Sequence, residues 1–125
     1  MLFRRALAIR EKKLGVDHLD VASTLHELGV CLSNAGRSKE AEELYRRALA
    51  IREEKLGVNH PDVARTLHSL GMCLFSAGRR KKARELYRRA LTIREEKLGV
   101  DHPDVASTRN ALKLTTCSLA TCNIS

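Results

Sequence analysis

The sequence predicts an all-α protein, a solenoid of stacked antiparallel helix pairs. Three observations predict it. Residues 18–59 and 60–101 are identical at 31 of 42 aligned positions, far beyond chance. Within each unit the apolar residues recur at i, i+3, i+4 and i+7, the spacing of one helical face, and glycines interrupt the pattern at fixed places. The chain has two Phe, two Tyr and no Trp, so its core must be built from Leu, Ala, Val and Ile through many thin helix–helix contacts.

The first element, residues 1–17, reads as half a repeat. Leu2, Phe3, Ala6 and Leu7 align with Leu44, Tyr45, Ala48 and Leu49, so this stretch matches only the second helix of a unit. The unit 18–59 follows, with helices near 20–35 and 38–56 and breakers at Gly36 and Gly57. In the unit 60–101, Val63, Ala64, Leu67, Leu70, Gly71, Leu74 and Ala77 form the apolar face of the first helix. Pro61 sits at a first helical position, and Asp62 places negative charge at the positive end of the helix dipole. Gly78 breaks that helix. The second helix turns Ala83, Leu86, Tyr87, Ala90, Leu91, Ile93 and Leu98 inward and ends at Gly99, placed for a left-handed C-cap. Gly71 and Ala83, like Gly29 and Ala41, put a small residue on each helix of a pair for close approach. Residues 102–125 open a third unit, whose pattern is already broken at Arg109 and fails after Leu112: Arg109, Lys113 and Thr116 stand where Leu67, Gly71 and Leu74 stood.

A helix pair joined by a tight turn cannot bury both of its apolar faces alone, whereas stacked pairs can. The pattern Leu67-x-x-Leu70-Gly71-x-x-Leu74, then Ala83-x-x-x-Tyr87-x-x-Ala90, resembles the tetratricopeptide repeat, as do Leu25, Leu28, Gly29, Leu32, Ala41, Tyr45 and Ala48. The 42-residue period and the linking Leu-Gly-x-x-His-Pro-Asp-Val-Ala are similar to the kinesin light chain and nephrocystin-type subgroup. The resemblance covers about residues 1–112. It implies a right-handed superhelix in which the first helices line a concave surface that receives a peptide.

The two half units raise the question of caps against truncation. Lys113 suits a cap, since nothing then requires Gly there, but Leu2 and Phe3 do not. The expectation is a piece of a longer array, with homo-association through the unfinished ends as an alternative structural role.

Several function classes are disfavoured. No apolar run approaches the ~18 residues of a membrane span, and no secretory signal opens the chain. Four cysteines without C-x-x-C or zinc spacing suggest reduced thiols and a cytoplasmic protein. His18, His60 and His102 are repeat equivalents, as are His26 and His68, so neither set can share one metal ion; His60, beside Pro61, reads as a helix-initiating residue. Cys31 and Cys73 read as small core residues. Glu53-Glu54 and Glu95-Glu96 are neighbours only in sequence and sit among Arg52, Lys55, Arg94 and Lys97, as on a solvated face. No catalytic constellation, cofactor motif or phosphate loop is present, and the expectation is a protein that is not an enzyme.

Two surfaces remain. The chain carries a net charge of +8, and its excess is concentrated in Arg79, Arg80, Lys81, Lys82 and Arg84, at the start of a helix spanning 79–89. Such a cluster suits an acidic partner; nucleic acid has little support, because Tyr45 and Tyr87 read as core rather than as exposed stacking platforms. The other surface is the groove. The resemblance assigns its contacts to Ser23, His26, Val30 and Ser33, then Arg65, His68, Met72 and Phe75, then Ser107 and Asn110. Arg65, His68, Met72 and Phe75 together fit a peptide with an apolar anchor and a nearby acid. The expected function is therefore a non-catalytic adaptor or scaffold that binds a peptide in its groove.

Overall fold

Among the described residues six helices follow one another: α1 (Leu2–Leu14), α2 (Leu19–Asn34), α3 (Ser38–Leu56), α4 (Pro61–Ser76), α5 (Arg80–Leu98) and α6 (Pro103–Thr116). A computed structural model of the chain describes residues 2–14 and 18–116, with the side chains of residues 2, 3, 11–14 and 116 outside that description. The pair α4–α5 repeats α2–α3 at an offset of 42 residues at all four helix ends. The periodicity read from the sequence thus carries over into backbone boundaries. Helix α6 starts at the same 42-residue offset from α4 and runs through Thr116, beyond the point where the sequence pattern fails.

Each first helix starts on a histidine. Nδ1 of His18, His60 and His102 accepts the backbone N–H of Asp20, Asp62 and Asp104, each at 3.0 Å. This satisfies one of the orphan donors at a helix start, the task usually given to Ser or Asp. At the other end of each pair the expectation needs correcting. Gly57 (φ 94°, ψ 153°) and Gly99 (φ 92°, ψ 152°) do not adopt the left-handed helical conformation. They occupy a region open essentially to glycine alone, from which the chain leaves the helix extended toward the next histidine.

The core runs without a break through the stack. Val21, Leu25, Leu28 and Leu32 of α2, and Val63, Leu67, Leu70 and Leu74 of α4, are fully buried or nearly so, with Tyr45 and Tyr87 packed against them. The small residues do allow close approach, although the partner differs from the one expected. What Gly29 and Gly71 admit is a tyrosine ring, Tyr45 and Tyr87 respectively. Ala77, expected on the apolar face, is instead the exposed C-cap of α4.

Helix α4 touches α2 on one side and α6 on the other, and the three form a single row packed against α3 and α5. Each second helix packs on its own first helix and on the next one. Leu7 of α1 is buried in this way against the stack, whereas the side chains of Leu2 and Phe3, on which the expected homo-association depends, lie outside the described residues. Cys117 and Cys122 lie outside them as well.

An arginine bridges each junction, and at two of the three it is buried. Arg52 and Arg94, expected on a solvated face, are only 4% and 7% exposed. Arg52 Nη1 donates to Thr66 Oγ1 at 2.7 Å, and Arg94 Nη1 to Thr108 Oγ1 at 2.7 Å. Arg10 makes the same bond to Thr24 at 2.9 Å. The hydroxyls of Thr24, Thr66 and Thr108 each donate in turn to the carbonyl four residues earlier, on Asp20, Asp62 and Asp104. A second helix is thereby tied to the first turn of the next unit.

Candidate functional site

The row α2–α4–α6 presents two clefts. One, about 340 Å³, lies between α4 and α6 and is walled by His68, Met72, Phe75, Ala111 and Leu114, with Tyr87 behind and Ser76, Ser107 and Asn110 at its edge. The other, about 250 Å³, lies between α2 and α4 and is walled by Val30, Ser33, Asn34, Tyr45, Ser69 and Met72. Met72 belongs to both and forms the ridge between them.

The two clefts are the same site repeated. Moving the smaller one by 42 residues turns its lining into Met72, Phe75, Ser76, Tyr87, Ala111 and Leu114, all of which line the larger one. One position recurs along the row: Val30, Met72 and Leu114 are 37%, 53% and 59% exposed. An exposed apolar side chain on each first helix makes a stripe along the groove.

Seven of the ten groove residues expected from the sequence line these clefts: Val30 and Ser33 in one, His68, Phe75, Ser107 and Asn110 in the other, and Met72 in both. Ser23 and Arg65 line neither. Ser23 Oγ accepts from Arg52 Nη2 at 3.4 Å, and Arg65 is exposed. His26 requires a correction. At 3% exposure it is a core residue, packed edge-on against Tyr45 with ring centroids 5.3 Å apart and bonded on both ring nitrogens. Leu114, Ala111, Ser76, Ser69, Asn34 and the two tyrosines join the lining from outside the expected set. Leu114 and Ala111 carry a signal in the sequence, since they stand 42 residues after Met72 and Ser69, but they fall where the apolar pattern breaks down.

The electrostatics of the groove are set by burial beside arginine. The pKa of His26 is lowered to about 4 by burial and then by the Arg52 charge, and that of His68 to about 4 by burial and then by Arg94. Both rings are therefore neutral at pH 7 and serve as hydrogen-bonding groups rather than cations. The Cys73 thiol is raised by burial, which makes it a packing residue rather than a nucleophile.

The basic cluster is divided rather than pooled. Arg79 pairs with Glu42 at 2.9 Å. Arg80 holds its guanidinium 5.8 Å from the centre of the Phe75 ring, which brings a cation beside the larger cleft. Arg84 Nη2 donates to the Thr115 carbonyl at 2.7 Å, while its Nε is buried without a partner. Lys81 and Lys82 are exposed. Among the described residues no group of three His, Cys, Asp or Glu side chains could hold a metal ion, and no helix is long and apolar enough to cross a membrane.

The tetratricopeptide repeat model matches the chain three times over, at residues 1–54, 35–96 and 62–120. The chain belongs to the tetratricopeptide repeat family. Its fold is similar to that of a Podosopora anserina protein named for the kinesin light chain, with nearly identical TPR-like repeats (TM-score 0.87, 24% identity, 98% of this chain and 58% of that one). A single-residue variant of that protein matches equally well. BtubC (BKLC) from P. vanneervenii is also similar, with TM-score 0.84 and 23% identity over 90% of this chain and 45% of that one. This tetratricopeptide repeat chain thus spans about half the length of the solved structures it matches. No curated protein sequence matches it.

Proposed function

We propose that this chain is a non-catalytic protein-interaction module, an adaptor or scaffold, that binds a peptide segment along the groove of α2, α4 and α6. The observation that carries the reading is the stripe of Val30, Met72 and Leu114, one exposed apolar side chain per first helix, flanked by two clefts. Tetratricopeptide repeats are in general protein-binding modules, and this groove offers apolar walls with cations nearby. Arg80 over Phe75 and the exposed Arg65 favour a peptide that carries an apolar anchor with an acid beside it. A cytoplasmic location goes with the reading, since Cys31 and Cys73 are both free thiols.

Selection of peptides from a random display library tests it. Clones enriched on the wild-type chain should share an apolar residue next to Asp or Glu, and Met72→Glu should remove their binding. Enriched peptides that bind Met72→Glu as well as wild type would place the interaction elsewhere.

A further inference from the structure

His26 and His68 occupy the same place in successive units, yet their ring nitrogens are used in opposite ways. Arg52 Nη1 stands 3.5 Å from His26 Nδ1. A guanidinium only donates, so this Nδ1 accepts and the ring proton resides on Nε2, which donates to Ser69 Oγ at 3.3 Å. At His68, Nδ1 lies 3.1 Å from Thr108 Oγ1. That hydroxyl sends its one proton to the Asp104 carbonyl at 3.1 Å and already accepts from Arg94 Nη1 at 2.7 Å. It can only accept again, so His68 Nδ1 carries the proton and Nε2 is left with a lone pair.

In the first junction the equivalent Nε2 is answered by Ser69. In the second, Ala111 stands at that position, and a methyl group can answer nothing. His68 and Ala111 both wall the larger cleft, together with Met72, Phe75 and Leu114. The smaller cleft has Ser69 in its wall and does not reach His26. The serine-to-alanine difference at this position thus leaves the second cleft with a hydrogen-bond acceptor amid apolar surface.

We infer that the α4–α6 cleft takes an aromatic side chain bearing a hydroxyl donor, a tyrosine of the partner, whose O–H donates to His68 Nε2. The inference rests on the groove reading and names the anchor that the groove selects. A purely apolar ring would cover Nε2 and leave it unmatched, a cost the phenol avoids. A carboxylate would face the lone pair, and an ammonium or guanidinium would enter a cleft already bordered by Arg80 and Arg94. The neutral ring that this acceptor role requires is the form present at pH 7, since burial and Arg94 lower the pKa to about 4.

Histidine-ring nitrogen NMR of the intact chain, titrated with p-cresol and with toluene as side-chain probes, tests this. In the free protein His26 should show the Nε2–H tautomer and His68 the Nδ1–H tautomer. p-Cresol should move the His68 Nε2 resonance and bind about 3–10-fold more tightly than toluene, the range of one neutral hydrogen bond. Ala111→Ser, which supplies the hydroxyl found at residue 69, should erase that preference while the fold is kept. A His68 Nε2–H tautomer, or equal binding of the two probes with Nε2 unmoved, overturns the inference and leaves the groove reading standing. If neither probe perturbs Met72, Phe75 or Leu114, the inference and the groove reading both fall.

Discussion

The ring of Tyr87 lies so close to Gly71 that a Cβ on the glycine would stand 2.8 Å from the ring's Cε1. Tyr45 and Gly29 repeat the contact one unit earlier, at the same 2.8 Å. The glycine is needed for space rather than for its backbone freedom, since it sits in the middle of a helix, where glycine costs about 1 kcal/mol relative to alanine.

The consequence is an inverted helix-propensity experiment. Gly71→Ala should gain about 1 kcal/mol of intrinsic helix stability and lose more to the displaced Tyr87 ring, which is buried and has nowhere to swing. The net loss should be about 1 kcal/mol, rising to about 3 kcal/mol for Gly71→Leu. Combining Gly71→Ala with Tyr87→Leu should restore the propensity gain. Urea denaturation of the three variants reads this directly, and a stabilised Gly71→Ala single variant would mean that the helices do not meet there.

The buried arginines predict a strong context effect. Arg52 bonds to neutral groups, Thr66 Oγ1 closest, and burial pushes its pKa down. Thr66→Val removes that acceptor while the guanidinium remains, so it should cost about 1–3 kcal/mol. In an Arg52→Met background, where no charge is left to satisfy, the same change should cost well under 1 kcal/mol. A double-mutant cycle with no coupling would show that Thr66 does not hold Arg52.

Stability should depend on pH through the equivalent histidines of α2 and α4. His26 faces Arg52, Arg65 and Asp62, and His68 faces Arg94 and Asp104; both fold with a pKa of about 4 against 6.5 when free. Between those values the unfolded chain binds more protons, so stability is full above pH 6.5 and falls as the pH drops toward 4. The slope should be about 1.4 kcal/mol per pH unit for each histidine within that window. Urea melts at pH 7 and pH 5 should show the loss, and His26→Gln should reduce it by about half, leaving the contribution of His68. An unchanged midpoint would mean that the rings stay solvated in the fold.

The architecture was legible in the sequence because duplication makes periodicity visible twice: helix ends and the tyrosine core follow from the 42-residue offset, whereas the groove positions came from the family resemblance. What was not legible depends on geometry that periodicity does not carry. Arg52 and Arg94 sit among Glu and Lys in sequence, and only the crossing of a second helix over the next Thr buries them. His26 and His68 look identical as letters, yet Ser69 bonds to the first, whereas Ala111 stands at the equivalent position beside the second and His68 lines a cleft. The basic run reads as one patch, but Glu42 and the Thr115 carbonyl draw two of its arginines apart.

That division sets up the test between groove and basic cluster. Lys81 and Lys82 are exposed near the start of α5, whereas Met72 is 53% exposed on the ridge between the clefts. If the groove binds the partner, Met72→Glu puts a carboxylate on the apolar ridge and should weaken binding at least 10-fold, about 1.4 kcal/mol or more. Lys81→Glu/Lys82→Glu should then change affinity by no more than about 3-fold, mostly through the on-rate and mostly at low salt. Arg80→Gln should fall between the two, because its charge stands against Phe75 and would meet an acid beside the anchor. The display-selected peptides, titrated calorimetrically at low and high salt, separate the cases. Loss on charge reversal with Met72→Glu indifferent would assign the interaction to the basic helix, and the apolar stripe would then need another occupant.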